Sequence, residues 1–88
     1  MNEMQILKKF IQLIEEFVDD PASLKTATRE TNIIWDLKVN SARLVDIIIK
    51  AEDMFDIEIN DDDADSIKTI GDAVDIVMRK VDITGVAA

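Results

Sequence analysis

The chain contains no cysteine and no histidine. Those two absences remove most of the chemistry that a small protein could perform with its own side chains. Without thiols there is no disulfide, no thiolate nucleophile and no soft-metal site. Without imidazole there is no side-chain base that ordinarily titrates near neutrality. Any chemistry done on this chain is therefore borrowed. Long apolar runs are also missing: nothing approaches the roughly 18 residues of a membrane span, and the N-terminus lacks a secretory pattern. Membrane insertion is not expected, and the expected compartment is the cytoplasm.

Basic residues are scarce. Ten lysines and arginines face 19 acids, a formal net charge of −9. Nucleic acid is disfavoured as a partner, because affinity for phosphate backbones comes mainly from clustered Lys and Arg. An anionic membrane surface would be repelled for the same reason. The partner that suits this charge is a protein with a basic patch. Eighty-eight residues, 48% of them apolar, make one domain with a small core. That size favours a binding or carrier module over an enzyme with a closed cleft.

The apolar pattern is helical. Leu7, Phe10, Ile11, Ile14, Phe17 and Val18 share one face of a 3.6-residue period, which predicts a first helix from Glu3 to Asp19. Asp19-Asp20-Pro21 closes it, since Pro21 lacks a donor and restricts the residue before it. No period survives from Pro21 to Val39. A loop that long usually has a function or a short helical piece of its own. Ile33-Ile34-Trp35 would pin it to the bundle, with Trp35 read as a core plug.

Ser41 to Phe55 reads as the second helix, about 22 Å long, with Asn40 or Ser41 as its cap. An extended loop follows, then one or two helical turns around Asp61–Ile67. Thr69 opens a last helix in which Ile70, Ala73, Val74, Val77, Met78 and Val81 form a stripe. Arg79 and Lys80 would favour the negative end of its dipole. Residues 1–82 form the expected domain and 83–88 a loose tail. The fold class is all-α, a bundle of three main helices and a short one.

The second helix carries two apolar stripes. Leu44, Ile47, Ile48, Ala51 and Phe55 form the core face at 100° per residue. Ala42, Val45 and Ile49 point elsewhere, among Asp46, Glu52 and Asp53. This second stripe is either a docking ridge or a surface that packs against the long loop. Between Asp36 and Asp65 there are ten acids against three bases, and that concentration favours docking. The same acids do not make a calcium loop. An EF-hand started at Asp56 puts Asp61 where glycine is needed, and one started at Asp61 puts Ser66 there.

Four runs in register then resemble one family. Asp36-Leu37-Lys38-Val39-Asn40-Ser41-Ala42 is similar to the acyl carrier protein motif D-L-G-x-D-S-L, and Phe55-Asp56-Ile57-Glu58-Ile59 matches its F-D-I-E-I. Asp61-Asp62-Asp63-Ala64-Asp65 resembles D-E-D-A-E, and Thr69-Ile70-Gly71-Asp72-Ala73-Val74 resembles T-V-G-D-A-I. The resemblance implies an acyl-carrier-like four-helix bundle, expected to be a monomer and not an enzyme.

It also implies a 4′-phosphopantetheine arm on Ser41, taken from coenzyme A by a phosphopantetheinyl transferase. The arm would hold acyl cargo as a thioester for fatty-acid, specialised lipid or polyketide synthesis. The implied docking positions for acyl-synthesis enzymes with basic patches are Val45, Asp46, Ile49, Glu52 and Asp53. Leu44, Ile47, Ile48, Ala51, Phe55, Ile59, Ala64 and Ile67 would line the acyl pocket, and no specific metal site is implied. Departures from the motif are Lys38 for glycine, Asn40 for the acid and Ala42 for leucine, with Arg43 just beyond. They point to a carrier with a dedicated pathway. The rival reading is a carrier-like adaptor that is never modified.

Overall fold

The computed structural model describes residues 2–84, and the side chains of residues 2–81. Helix α1, Glu3–Glu15, opens with a reciprocal cap: Asn2 Oδ1 accepts the Gln5 N–H at 2.9 Å while Gln5 Oε1 accepts the Asn2 N–H at 3.0 Å. Ile6, Phe10, Leu13 and Ile14 are its buried face, with Leu7, Ile11 and Phe17 packed beside them. The apolar face is thus centred one position earlier than the Leu7–Ile11 spacing suggests.

The helix also stops four residues before the expected Asp19. Its last turn tightens, with the N–H of Phe17 reaching Ile14 O at 2.7 Å. The chain then turns so that Val18 enters the core and Asp20 can cap the next element. That element is the helical piece expected of the long loop, a 3-10 helix at Pro21–Thr26 with Pro21 in its first turn.

The rest of the loop is fastened to the start of the last helix. A single antiparallel bridge pairs Asn32 with Thr69, and the N–H groups of Ile33, Ile70 and Gly71 donate to Lys68, Thr31 and Arg29 carbonyls at 2.9–3.0 Å. Gly71 permits this contact, because a Cβ there would lie 2.9 Å from Arg29 O. Arg29 adds a clamp of charge, pairing with Glu3 and with both carboxylate oxygens of Asp75 at 2.9 Å.

Within this segment Ile33, Leu37 and Val39 take the inward positions. Trp35 does not: it is 80% exposed, against the expectation of a core plug. The reason is local. Asn32 Oδ1 accepts the N–H groups of both Ile34 and Trp35, and the resulting turn carries residue 35 outward.

Helix α2 spans Ser41–Phe55, α3 Asp61–Asp65 and α4 Ile70–Thr84. Between α2 and α3 the chain has no regular secondary structure, after Asp56 takes a left-handed cap at φ 54. Thr69 and Asp72 form the expected reciprocal cap of α4, at 3.0 and 3.1 Å. The last helix runs past Asp82 to Thr84, and its buried stripe reaches Val81. The remainder of the expected tail, 85–88, lies outside the described residues.

Arg79 and Lys80 are consequently not in the last turn. Instead both pair with Asp63 of α3 at 2.9 Å, one cation on each oxygen. The core lies where α1 packs against α4 and α2. Among the described residues no polar or charged side chain is fully buried, and no helix is long and apolar enough to cross a membrane.

Candidate functional site

The start of α2 has a division of labour between two neighbours. Asn40 is the cap, with extended backbone at φ −76 and ψ 166 and a side chain that accepts the Arg43 N–H at 2.8 Å. Its carbonyl also accepts the Leu44 N–H at 3.0 Å. Ser41 is therefore the first helical residue rather than the cap. It is exposed, and its hydroxyl makes no hydrogen bond among the described residues.

The N–H groups of Ser41 and Ala42 have no acceptor within the helix, and the positive end of its dipole lies there. Lys38 and Arg43 flank the serine in sequence, and neither takes part in an ion pair among the described residues. A negatively charged ester on the Ser41 oxygen would meet free N–H groups here, and the Lys38–Arg43 stretch holds two cations and no carboxylate.

Lys38 stands at φ 57, a left-handed conformation that costs a side-chain-bearing residue about 1–2 kcal/mol relative to the right-handed one. This is the position where the resembled motif has glycine. Lys38→Gly is accordingly expected to raise stability by about 1 kcal/mol, less the extra entropy that glycine loses on folding. Urea unfolding would measure the gain. A loss of stability would show that the lysine makes a compensating contact.

Along α2 the two stripes separate cleanly. Leu44, Ile47, Ile48, Ala51 and Phe55 are buried, and Ile67 with them. Ile59 and Ala64 are half-buried against the same core. Val45 and Ile49 are 53% and 58% exposed, so they do not pack under the long loop. Ala42, Asp46 and Asp53 are exposed beside them.

Glu52 departs from this ridge. It is half-buried, and its carboxylate accepts the Ile59 N–H at 2.8 Å, bracing the loop before α3. Hydropathy spacing alone could not have shown this, because the partner is a backbone group seven residues on. A recess of about 290 Å³ opens beside the brace, lined by Glu52, Glu58, Ile59, Asn60 and Lys80. It meets the expected acyl-pocket residues at Ile59.

No family model matches the chain. Curated relatives do. The acyl carrier protein of Lactobacillus acidophilus is 42% identical over 78 residues, covering 88% of this chain and 94% of its own. The chain belongs to the acyl carrier protein family. The acyl carrier protein of Picosynechococcus is 36% identical over 91% of this chain and 95% of its own. Among solved structures, the acyl carrier protein of Enterococcus faecalis superposes with a TM-score of 0.75 at 31% identity, covering 91% of this chain and 99% of that one. The four-helix bundle of this carrier is thus the family fold.

In this carrier the short α3 is tied to α4 through charge. The Lys80 ammonium, 2.9 Å from Oδ2, holds the Asp63 carboxyl below its ordinary pKa; desolvation opposes this, and the charge of Arg79 reinforces it. A depressed pKa means the folded state binds its proton less readily than the unfolded state. The contribution to stability is present above the ordinary carboxyl value of about 3.9 and is lost as pH falls below it. Thermal melts of the wild type and Asp63→Asn should therefore differ near pH 7 and converge below about pH 4. The difference between the two proteins is the informative quantity, because general repulsion among the acids largely cancels in it. A gap unchanged down to about pH 3 would show that the ion pairs add nothing.

Proposed function

We propose that the chain carries acyl groups as thioesters on a 4′-phosphopantetheine arm esterified to Ser41. One observation carries this reading. The Ser41 hydroxyl is exposed and unbonded at the first turn of a 15-residue helix, while Asn40 performs the capping. A serine that merely capped would have its oxygen on a backbone N–H.

The residues present fit the arm. The backbone N–H groups of Ser41 and Ala42 would hold the phosphodiester, in a stretch whose only charged residues are Lys38 and Arg43. When bound, the group supplies a thiol at the end of a long flexible chain, and that thiol forms the thioester. The chain itself has no Cys or His, so removal of the hydroxyl proton falls to a partner enzyme.

The ridge of Val45 and Ile49, edged by Asp46 and Asp53, supports docking of acyl-synthesis enzymes that present basic patches. Desolvating two exposed aliphatic side chains inside an acidic rim suits such a surface. Glu52 serves the ridge indirectly, by fixing the loop beside it. The apolar layer from Leu44 to Ile67 is the proposed shelter for the acyl chain, entered near Ile59. Entry requires α3 to yield, and Asp63 with Arg79 and Lys80 sets how easily it does.

Incubation with coenzyme A and a broad-specificity phosphopantetheinyl transferase, followed by intact mass, tests the reading. A gain of one phosphopantetheine, located on the peptide containing Ser41, is expected. A folded protein that gains nothing from several transferases would point to an unmodified adaptor.

A further inference from the structure

Trp35 is the chain's single tryptophan, and it is 80% exposed. Its exposure is not a failure of the loop to pack. Ile33, Leu37 and Val39 are each at most 5% exposed, so the core already has its side chains from this segment.

The backbone beneath the indole is closed by its own hydrogen bonds. Asn32 Oδ1 accepts from Ile34 at 3.0 Å and from Trp35 at 2.8 Å, while Asp36 Oδ2 accepts the Asn32 N–H at 2.8 Å. The N–H of Asp36 returns to Asn32 O at 2.9 Å, and Ile33 is bonded to Lys68. A large apolar ring is thus presented to solvent from a fixed turn, at little entropic cost to anything that covers it.

The segment that carries it has exposed acids, with Lys38 the nearest cation in sequence. Glu30 and Asp36 are exposed on either side in sequence. Asp36 also lines a recess of about 210 Å³ with Asp19 and Asp20, where Lys38 is the one cation. That field disfavours a second copy of a chain with net charge −9. It suits a protein whose own surface is cationic. Trp35 and Ser41 are six residues apart, a separation of at most about 20 Å even if fully extended. An enzyme seated over the serine can therefore reach Trp35. An enzyme that delivers the arm must also hold the phosphates of coenzyme A, and therefore presents lysine and arginine around its site.

We propose that Trp35 is a docking anchor for the enzyme that brings coenzyme A to Ser41, its indole entering an apolar pocket framed by basic residues. This rests on the reading of Ser41 given above.

The test uses the full chain, a broad-specificity phosphopantetheinyl transferase and coenzyme A, with Trp35→Ala and Trp35→Phe compared with the wild type. In Trp35→Ala the KM for the carrier should rise about 30-fold, as for an interface hot spot, with kcat within about twofold. Trp35→Phe should recover most of the loss. Melts of both variants should match the wild type, since the ring is exposed.

In parallel, 5-fluorotryptophan in place of Trp35 gives a single ¹⁹F line. That line should move saturably when the transferase is added, in the wild type and in Ser41→Ala alike. An unchanged KM, or a line that stays still while Ser41 is loaded normally, would overturn the proposal. A moving line with no loading at all would uphold the anchor and sink the Ser41 reading. A still line with no loading would sink both. A line that moves with the carrier's own concentration would make a second copy the occupant, and would also overturn the proposal.

Discussion

Ser41→Ala is expected to abolish phosphopantetheine loading completely while leaving the fold and its stability intact. The two halves of that expectation have separate causes. Loading needs an oxygen at position 41, and alanine supplies none; no neighbouring hydroxyl can take over, since the nearest serine or threonine in sequence is Thr31. Stability survives because the Ser41 side chain bonds to nothing, and the helix is capped by Asn40 at 2.8 Å from the Arg43 N–H.

Asn40→Ala gives the converse result. It should cost about 1 kcal/mol of stability, the usual loss for a cap, and should leave loading measurable. Intact mass and urea unfolding on the two variants separate the roles. If Ser41→Ala destabilised the protein by a cap's worth, the hydroxyl would be structural. If Asn40→Ala abolished loading in a folded protein, the residue before the serine would be part of what the transferase reads.

The boundaries of α2 and the division of its faces were legible in the sequence because both follow from apolar spacing and a capping residue. Which of Asn40 and Ser41 caps was not, since either side chain can accept an N–H and the choice depends on backbone angles. Trp35 misleads for a related reason. A large aromatic beside two isoleucines suggests burial, but a turn closed by Asn32 and Asp36 decides which of the three points inward. Propensity and hydropathy carry no information about that rotation.

Periodicity extends α1 too far because Phe17 and Val18 continue the pattern after the backbone has left the helix. Arg79 and Lys80 lie short of the helix end, which is at Thr84. Their true partner, Asp63, is a tertiary contact that no local rule predicts. Lys38 is the reverse case. The resembled motif has glycine at its position, and the positive φ found there gives the physical reason.

Ile47→Ala and Ile49→Ala should behave as opposites although they are the same change two residues apart on one helix. Ile47 is fully buried in the core. Its truncation removes buried methyl groups and leaves a cavity, at about 2–5 kcal/mol. Against the roughly 5–15 kcal/mol typical of a small domain, that is a large fraction of the whole stability.

Ile49 is 58% exposed. Its truncation opens no cavity, and alanine has the better helix propensity by a few tenths of a kcal/mol, so stability should stay within about 0.5 kcal/mol. Its cost should appear in docking instead, as a KM for a partner enzyme raised about five- to thirtyfold with kcat little changed. Urea midpoints and carrier-dependent kinetics on both variants would check this. A destabilised Ile49→Ala would mean that the second stripe packs against something in the folded chain. A stable Ile49→Ala with unchanged kinetics would remove the ridge from the docking surface and leave Trp35 and the acids to account for it.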